Sequence, residues 1–161
     1  MKGLKIERIL SLEQLLRWRA EVFRDITGKA PDADMLKATA RYYDFHNADG
    51  THVAFEAQLP GPDGTLQPIG CGGVCFHEEL PSVENPNGRC ARIVNLYVRE
   101  PHRRSGVGAD ILRALVDLAR FRGCHRIALD SSPEAMKFCQ ALGFHEAPQN
   151  LLYSESVPEK K

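Results

Sequence analysis

An apolar strand, Ile93-Val94-Asn95-Leu96-Tyr97-Val98, leads within a few residues into Arg103-Arg104-Ser105-Gly106-Val107-Gly108 and then into a long helix with an apolar face. A strand that feeds a glycine-bearing turn and a helix leaves few ways to fold. It predicts a strand-helix-strand unit whose two strands run parallel and are joined by a right-handed crossover. In open sheets of this kind ligands sit beyond the carboxyl ends of the strands, and the turn after Val98 lies there. The turn aims unpaired N–H groups and the positive end of a helix dipole at one spot, an anion site suited to a pyrophosphate. The glycines let phosphate oxygens approach the main chain. Arg103 and Arg104 add cationic donors of fork geometry.

Two nucleotide-binding patterns fail on spacing. No Lys follows these glycines as a Walker loop requires, and Ile111 stands where a dinucleotide fingerprint needs its third glycine.

The rest of the chain reads as alternating elements. Residues 4–9 alternate like a half-buried strand. Ser11-Leu12-Glu13-Gln14 is a capping box that opens a helix to about Ile26, ended by Thr27-Gly28. A second helix is expected from Asp32 or Asp34 to Phe45, closed by Asn47-Ala48-Asp49-Gly50. Residues 51–59 and 67–77 read as strands joined by a Gly61-Pro62-Asp63-Gly64 turn. Gly70, Gly72 and Gly73 predict a bulge or a close backbone contact in the second of them. A loop over 78–90 precedes the central strand at about 91–99. A helix from Gly106 to Arg122 carries Val107, Ile111, Leu115 and Leu118 on one face. After a short strand at 125–130, Ser132 caps a helix with Pro133 at its first position, and Gly143 suits a left-handed terminator. A last hairpin is expected from residues 144–146 and 151–153.

The chain has 161 residues, 43% of them hydrophobic and 26% charged, enough for one core. No apolar run reaches membrane-spanning length, so no membrane role is expected. Residues 1–10 lack the apolar segment of a signal peptide. The five cysteines, at 71, 75, 90, 124 and 139, show no CxxC pairing. Neither a disulfide framework nor a metal site is expected, and a cytoplasmic location with reduced thiols is. Between Arg89 and Arg126 nine arginines face Glu100, Asp110 and Asp117, although the whole chain is neutral. A basic centre suits a phosphate-rich cofactor, and acidic flanks favour a cationic substrate. An isoelectric point near 7 argues against nucleic acid as the partner.

Arg103-x-x-Gly106-x-Gly108 resembles the acyl-CoA pyrophosphate loop of the GNAT superfamily of N-acyltransferases. Asn95-Leu96-Tyr97-Val98 with Glu100-Pro101 is similar to that family's central strand and its exit. Ser132-Pro133-Glu134-Ala135-Met136-Lys137-Phe138-Cys139 and Leu142-Gly143-Phe144 resemble its fourth helix and closing Leu-Gly-Phe. The resemblance covers roughly residues 90–146, and the first half matches in layout only. It implies an α/β (mixed α+β) fold in a single domain over residues 1–154, followed by a polar tail at 155–161. The central sheet would be mixed, mostly antiparallel and splayed at its central strand, with about four flanking helices.

The resemblance further implies an acetyl-CoA-dependent N-acetyltransferase acting on a primary amine of a small molecule or peptide, by direct attack in a ternary complex. A homodimer is compatible with it. The alternative is an acyl-CoA-binding sensor or partner module without catalysis. Carried over by position, the main chain of Leu96, Tyr97 and Val98 would lie along the pantetheine, with the Leu96 N–H as the oxyanion donor. Arg103, Arg104, Ser105, Gly106, Val107, Gly108 and Ala109 would surround the pyrophosphate, and Ser132 would add a cofactor contact. Asn95 is polar in an apolar strand; it is either a satisfied amide at a bulge or a group that orients substrate or water. Cys139 stands where many relatives carry a Tyr that acts as general acid. It is either a small buried thiol or the donor that protonates the CoA thiolate. The strand lacks the early carboxylate of many relatives. Glu56, Glu78 and Glu79 are then candidates for the base, as is ordered water. Trp18, Phe23, Tyr42 and Tyr43 would be core or acceptor-site wall; His46, His77 and His145 read as surface residues.

Overall fold

In the computed structural model, which describes residues 2–147, the chain forms two compact units, one ending at Asp130 and one beginning at Ser131. The first holds β1 (Lys5–Arg8), α1 (Leu12–Thr27), α2 (Ala33–Ala48), β2 (His52–Pro60), β3 (Leu66–Glu78), β4 (Arg89–Val98), a 3-10 turn (Glu100–His102), α3 (Val107–Phe121) and β5 (Arg126–Leu129). The second holds α4 (Pro133–Ala141). The expected hairpin at 144–146 and 151–153 lies partly outside the described residues.

Local chemistry sets the helix bounds. Ser11 and Asp32 accept from Gln14 N and Met35 N at the starts of α1 and α2, which satisfies N–H groups a helix leaves open. Gly28 ends α1 in a left-handed conformation at φ 71°. Helix α2 runs three residues past the expected Phe45. The Asp49 N–H still reaches Phe45 O at 3.1 Å, and only Gly50, at φ 76°, turns the chain away.

Among the described residues five strands form one sheet in the order β1-β2-β3-β4-β5, antiparallel except for the parallel β4–β5 pair. That is the mixed, mostly antiparallel sheet expected. Alternation along β3 separates its two faces. Cys71 joins Ile9, Leu15, Trp18, Val22, Tyr43 and Ala54 in a core beneath α1 and α2. Its neighbour Gly72 faces the other way: a Cβ there would sit 2.8 Å from Ile111 Cγ2 and from Leu115 Cδ1 of α3. A Cβ on Gly70 would meet Tyr97 O at 2.8 Å. The glycines of β3 thus bring α3 and the end of β4 against the sheet, the close contact the sequence predicted. Ile111, Leu115 and Ala119, fully buried, fill that face.

In the second unit the Ser132 hydroxyl accepts from Ala135 N and caps α4. Gly143, at φ 94°, ends it, with Phe144 N reaching back to Cys139 O at 3.1 Å.

Candidate functional site

The register of β4 breaks where its sequence turns polar. Cys71 pairs with Tyr97 and Gly73 with Val94, so two steps along β3 match three along β4, and β4 carries an extra residue. Within this bulge Asn95 takes the left-handed conformation at φ 56°, which Asn tolerates better than most side chains. Arg19 of α1 holds the Asn95 side chain through a 3.1 Å bond to Oδ1.

The parallel pairing of β4 with β5 runs only from Cys90 to Ile93, and β4 continues to Val98. Which peptide groups this stretch offers follows from one hydrogen bond. Arg99 N donates to Ile69 O of β3 at 2.9 Å. Strand alternation then turns the peptide groups of Val98 and Leu96 to the opposite edge, where β5 has stopped pairing. Val98 O accepts there from Arg103 Nε at 2.8 Å. Leu96, Tyr97 and Val98 are only half buried.

Beyond Val98 the 3-10 turn delivers the chain to α3. Arg104 at φ 60° and Gly106 at φ 91° alternate in hand with their neighbours, a backbone that gathers N–H groups into a concave nest. Gly106 is the N-cap residue of α3 and brings no side-chain cap, so the first N–H groups of the helix, from Val107 to Ala109, have no partner among the described residues. A Cβ built on Gly106 would meet nothing within 4 Å. Arg104, Ser105 and Gly106 are exposed, Gly108 and Ala109 half buried, and Val107 anchors the turn in the core.

The flanking arginines are tied to α1. Arg99 grips the Glu21 carboxylate with two bonds, 2.7 and 2.8 Å, and its guanidinium lies over Trp18. The bonded Arg99 charge holds the Glu21 carboxyl below its ordinary value, and Glu21 raises Arg99 in turn. Arg103 bonds Asp25 at 3.1 Å and covers the Tyr97 ring, so its side chain turns toward α1 as well as toward Val98. Both loop arginines are exposed, and among the described residues Arg104 makes no such contact.

Other sequence candidates fall elsewhere. Glu78 and Glu79 lie at the start of β4, the far end from the loop, since Glu78 pairs with Arg89. Among the described residues, His77, Glu79 and Cys90 bring ligand atoms within 4.8 Å of one another there, but Glu79 already bonds Arg126 at 3.0 Å. Glu56 is buried under α1, its carboxylate accepting from Trp18 Nε1 and from Gln58 Nε2. Trp18 and Tyr43 are core; Tyr42 is partly exposed and its hydroxyl lies 3.1 Å from Cys75 Sγ. Ser132 and the buried Cys139 belong to the second unit.

One residue was not anticipated. His52, which opens β2, is 2% exposed, and its Nδ1 has no hydrogen-bond partner among the described residues. It lines a small cavity with Asn95, Cys71 and Gly73. Burial lowers its pKa to about 4, helped by the charges of His46 and Arg8. The signal lay in the alternation His52, Ala54, Glu56, which sends two polar side chains to the face that α1 and α2 cover.

The acetyltransferase (GNAT) family matches residues 12–144 of the chain. The probable glucosamine 6-phosphate N-acetyltransferase 2 of Oryza sativa subsp. japonica is 26% identical over 117 residues, which is 72% of this chain and 68% of that one. A glucosamine 6-phosphate N-acetyltransferase of Trypanosoma brucei brucei is 33% identical over 61 residues, 37% of this chain and 42% of its own. Among solved structures, a predicted acetyltransferase from Clostridium acetobutylicum with acetyl-CoA superposes with a TM-score of 0.80 at 23% identity, covering 94% of this chain and 96% of that one. Glucosamine-6-phosphate N-acetyltransferase from Arabidopsis thaliana superposes with a TM-score of 0.72 at 18% identity, covering 98% and 100%. At these identities the superpositions speak to the fold.

Proposed function

The chain belongs to the acetyltransferase (GNAT) family, and we propose that it transfers the acetyl group of acetyl-CoA to a primary amine of a small molecule or peptide by direct attack in a ternary complex. The observation that carries this reading is the continuity of two backbone surfaces that the described residues leave largely open, with Val98 O alone taken up by Arg103. The edge of β4 at Leu96 and Val98 offers peptide groups to an extended, amide-bearing pantetheine arm. That edge leads straight to the N–H nest of residues 104–109, which suits the pyrophosphate. The arm would lie as a further strand in the gap past Ile93, as peptides do at an open sheet edge.

In this scheme the Leu96 N–H meets the acetyl oxygen as negative charge develops on it. The amine nitrogen bonds the acetyl carbon, the carbon–sulfur bond breaks, and CoA leaves as its thiolate. One proton departs from the amine nitrogen and one arrives at sulfur. Asn95, fixed by Arg19, keeps the bulge that points the Leu96 N–H outward. The acidic residues of α1 nearest β4, Glu21 and Asp25, are engaged by Arg99 and Arg103, so they lend no net charge to attract a cation. The amine reading therefore rests on the family and on the relatives named for an amino-sugar acceptor rather than on charge.

The test is CoA thiol release from acetyl-CoA across a panel of amino sugars, polyamines, aminoglycosides and peptide amines. Release dependent on one class of amine supports the reading. Binding of acetyl-CoA without release on any amine would instead make the chain an acyl-CoA-binding module. Release with hydroxyl compounds but with no amine would overturn the proposed acceptor chemistry.

A further inference from the structure

A buried imidazole without a hydrogen bond is an expensive arrangement. A neutral histidine carries one N–H and one lone pair, and leaving such groups unmatched in the interior costs about 1–3 kcal/mol each. His52 is 2% exposed, its Nδ1 is unpartnered, and no hydrogen bond from the described residues reaches its ring. The fold nonetheless makes room for it. The Nε2 atom lies 2.9 Å from where a Cβ of Gly73 would stand, so the absence of a side chain at Gly73 is what admits the ring. The Tyr43 ring, centred 4.9 Å away, backs it from α2, with Tyr42 at 6.0 Å.

The cavity beside it is small, with about 10 Å³ open to the centre of a water-sized molecule. That is close to the space one buried water occupies. Ile9, Leu15 and Ala54 make part of its wall apolar, while His52, Asn95 and Cys71 supply the polar atoms. Asn95 is the bulge residue of β4, adjacent in the chain to the Leu96 N–H assigned above to the acetyl oxygen. The unmatched imidazole and the residue that precedes the proposed oxyanion donor thus line one cavity.

We propose that His52 is the proton acceptor for the attacking amine, working through a single water held in this cavity between its imidazole and Asn95. The inference rests on the acetyl-transfer reading above. In the step, the amine nitrogen bonds the acetyl carbon and the charge it gains is relieved when one N–H proton passes to the water. The water passes a proton to the imidazole, and the CoA thiolate is protonated separately. His52 suits the task because burial keeps it unprotonated throughout the neutral range. Its weak basicity in the resting protein is offset during attack, when negative charge grows on the acetyl oxygen across the bulge and favours a nearby cation.

Three measurements decide it. A high-resolution crystal structure should show one ordered water bonded to a His52 nitrogen in this cavity; an empty cavity overturns the proposal. His52→Ala should lower kcat on the order of 10²-fold, leave the acetyl-CoA-induced rise in Tm unchanged, and regain turnover when imidazole is added. His52→Gln keeps more of the volume but cannot titrate, and it should lose the same factor without rescue. Either variant turning over at the wild-type rate would overturn the assignment, as would a loss in His52→Ala that imidazole does not relieve. Wild-type protein that binds acetyl-CoA yet releases no thiol with any amine would count against the parent reading instead, which keeps the two failures distinguishable.

Discussion

Arg19 Nη1 of α1 donates to Asn95 Oδ1 at 3.1 Å, so a helix on one face of the sheet fixes the side chain of the residue whose left-handed backbone makes the bulge in β4. The bulge shifts the alternation of the strand by one residue, and that shift sets which peptide groups reach the open edge.

Substitutions at position 95 should separate backbone from side chain. Asn95→Gly keeps φ 56° accessible and loses only the Arg19 bond, at a cost of about 1 kcal/mol. Asn95→Val forces a β-branched residue into the left-handed region and should cost a further ~1–3 kcal/mol. Urea midpoints would show the order; equal stability of the two variants would mean that the bulge does not depend on residue 95.

Gly72→Ala should destabilise by roughly 1–3 kcal/mol, the usual range for overpacking. The new methyl would meet Ile111 and Leu115 at 2.8 Å. Because α3 carries the nest at its start, the same change should weaken acetyl-CoA binding. Combining it with Ile111→Val should recover part of both losses, a coupling a double-mutant cycle would reveal.

How much of this was legible beforehand divides along physical lines. The strand, the glycine turn and α3 follow from periodicity and from where glycine interrupts it, which are local properties. The bulge was foreshadowed by Asn95 standing polar in an apolar run, and the tight contact of β3 by Gly70, Gly72 and Gly73. Partners distant in the chain were not legible. Arg103 reads as a phosphate donor in sequence, yet its guanidinium binds Val98 O and Asp25. His52 escaped notice because a single sequence does not reveal which strand face two helices will cover. Helix α2 ends three residues beyond the expected Phe45 because Asn47, a helix-breaking signal in sequence, sits within its last turn.

The Glu21–Arg99 pair should give stability an acid-sensitive part. Arg99 lowers the folded-state carboxyl of Glu21, so its contribution is present above the ordinary value of 4.5 and is lost as pH falls through the lowered folded value. Both groups are partly exposed, which limits it to about 1 kcal/mol. Glu21→Gln should melt below the wild type at pH 7, and the gap should close in acid. A gap unchanged from pH 7 to pH 3 would contradict this.

Cys139→Ala is expected to keep kcat within a few-fold, as befits a small thiol buried in α4, leaving water to protonate the CoA thiolate. A loss on the order of 10²-fold at unchanged acetyl-CoA affinity would give that role to the Cys139 thiol.

The central claim is that the turn from Arg103 to Ala109 holds the pyrophosphate of the acyl carrier. Calorimetric titration of wild type, Gly106→Val and Gly108→Val with acetyl-CoA tests it most directly, with each variant's own melting temperature recorded to exclude unfolding. The account predicts saturable binding to the wild type, none by pantetheine lacking the pyrophosphate, and loss of acetyl-CoA binding in both variants. Undiminished acetyl-CoA affinity in folded Gly106→Val and Gly108→Val would contradict it.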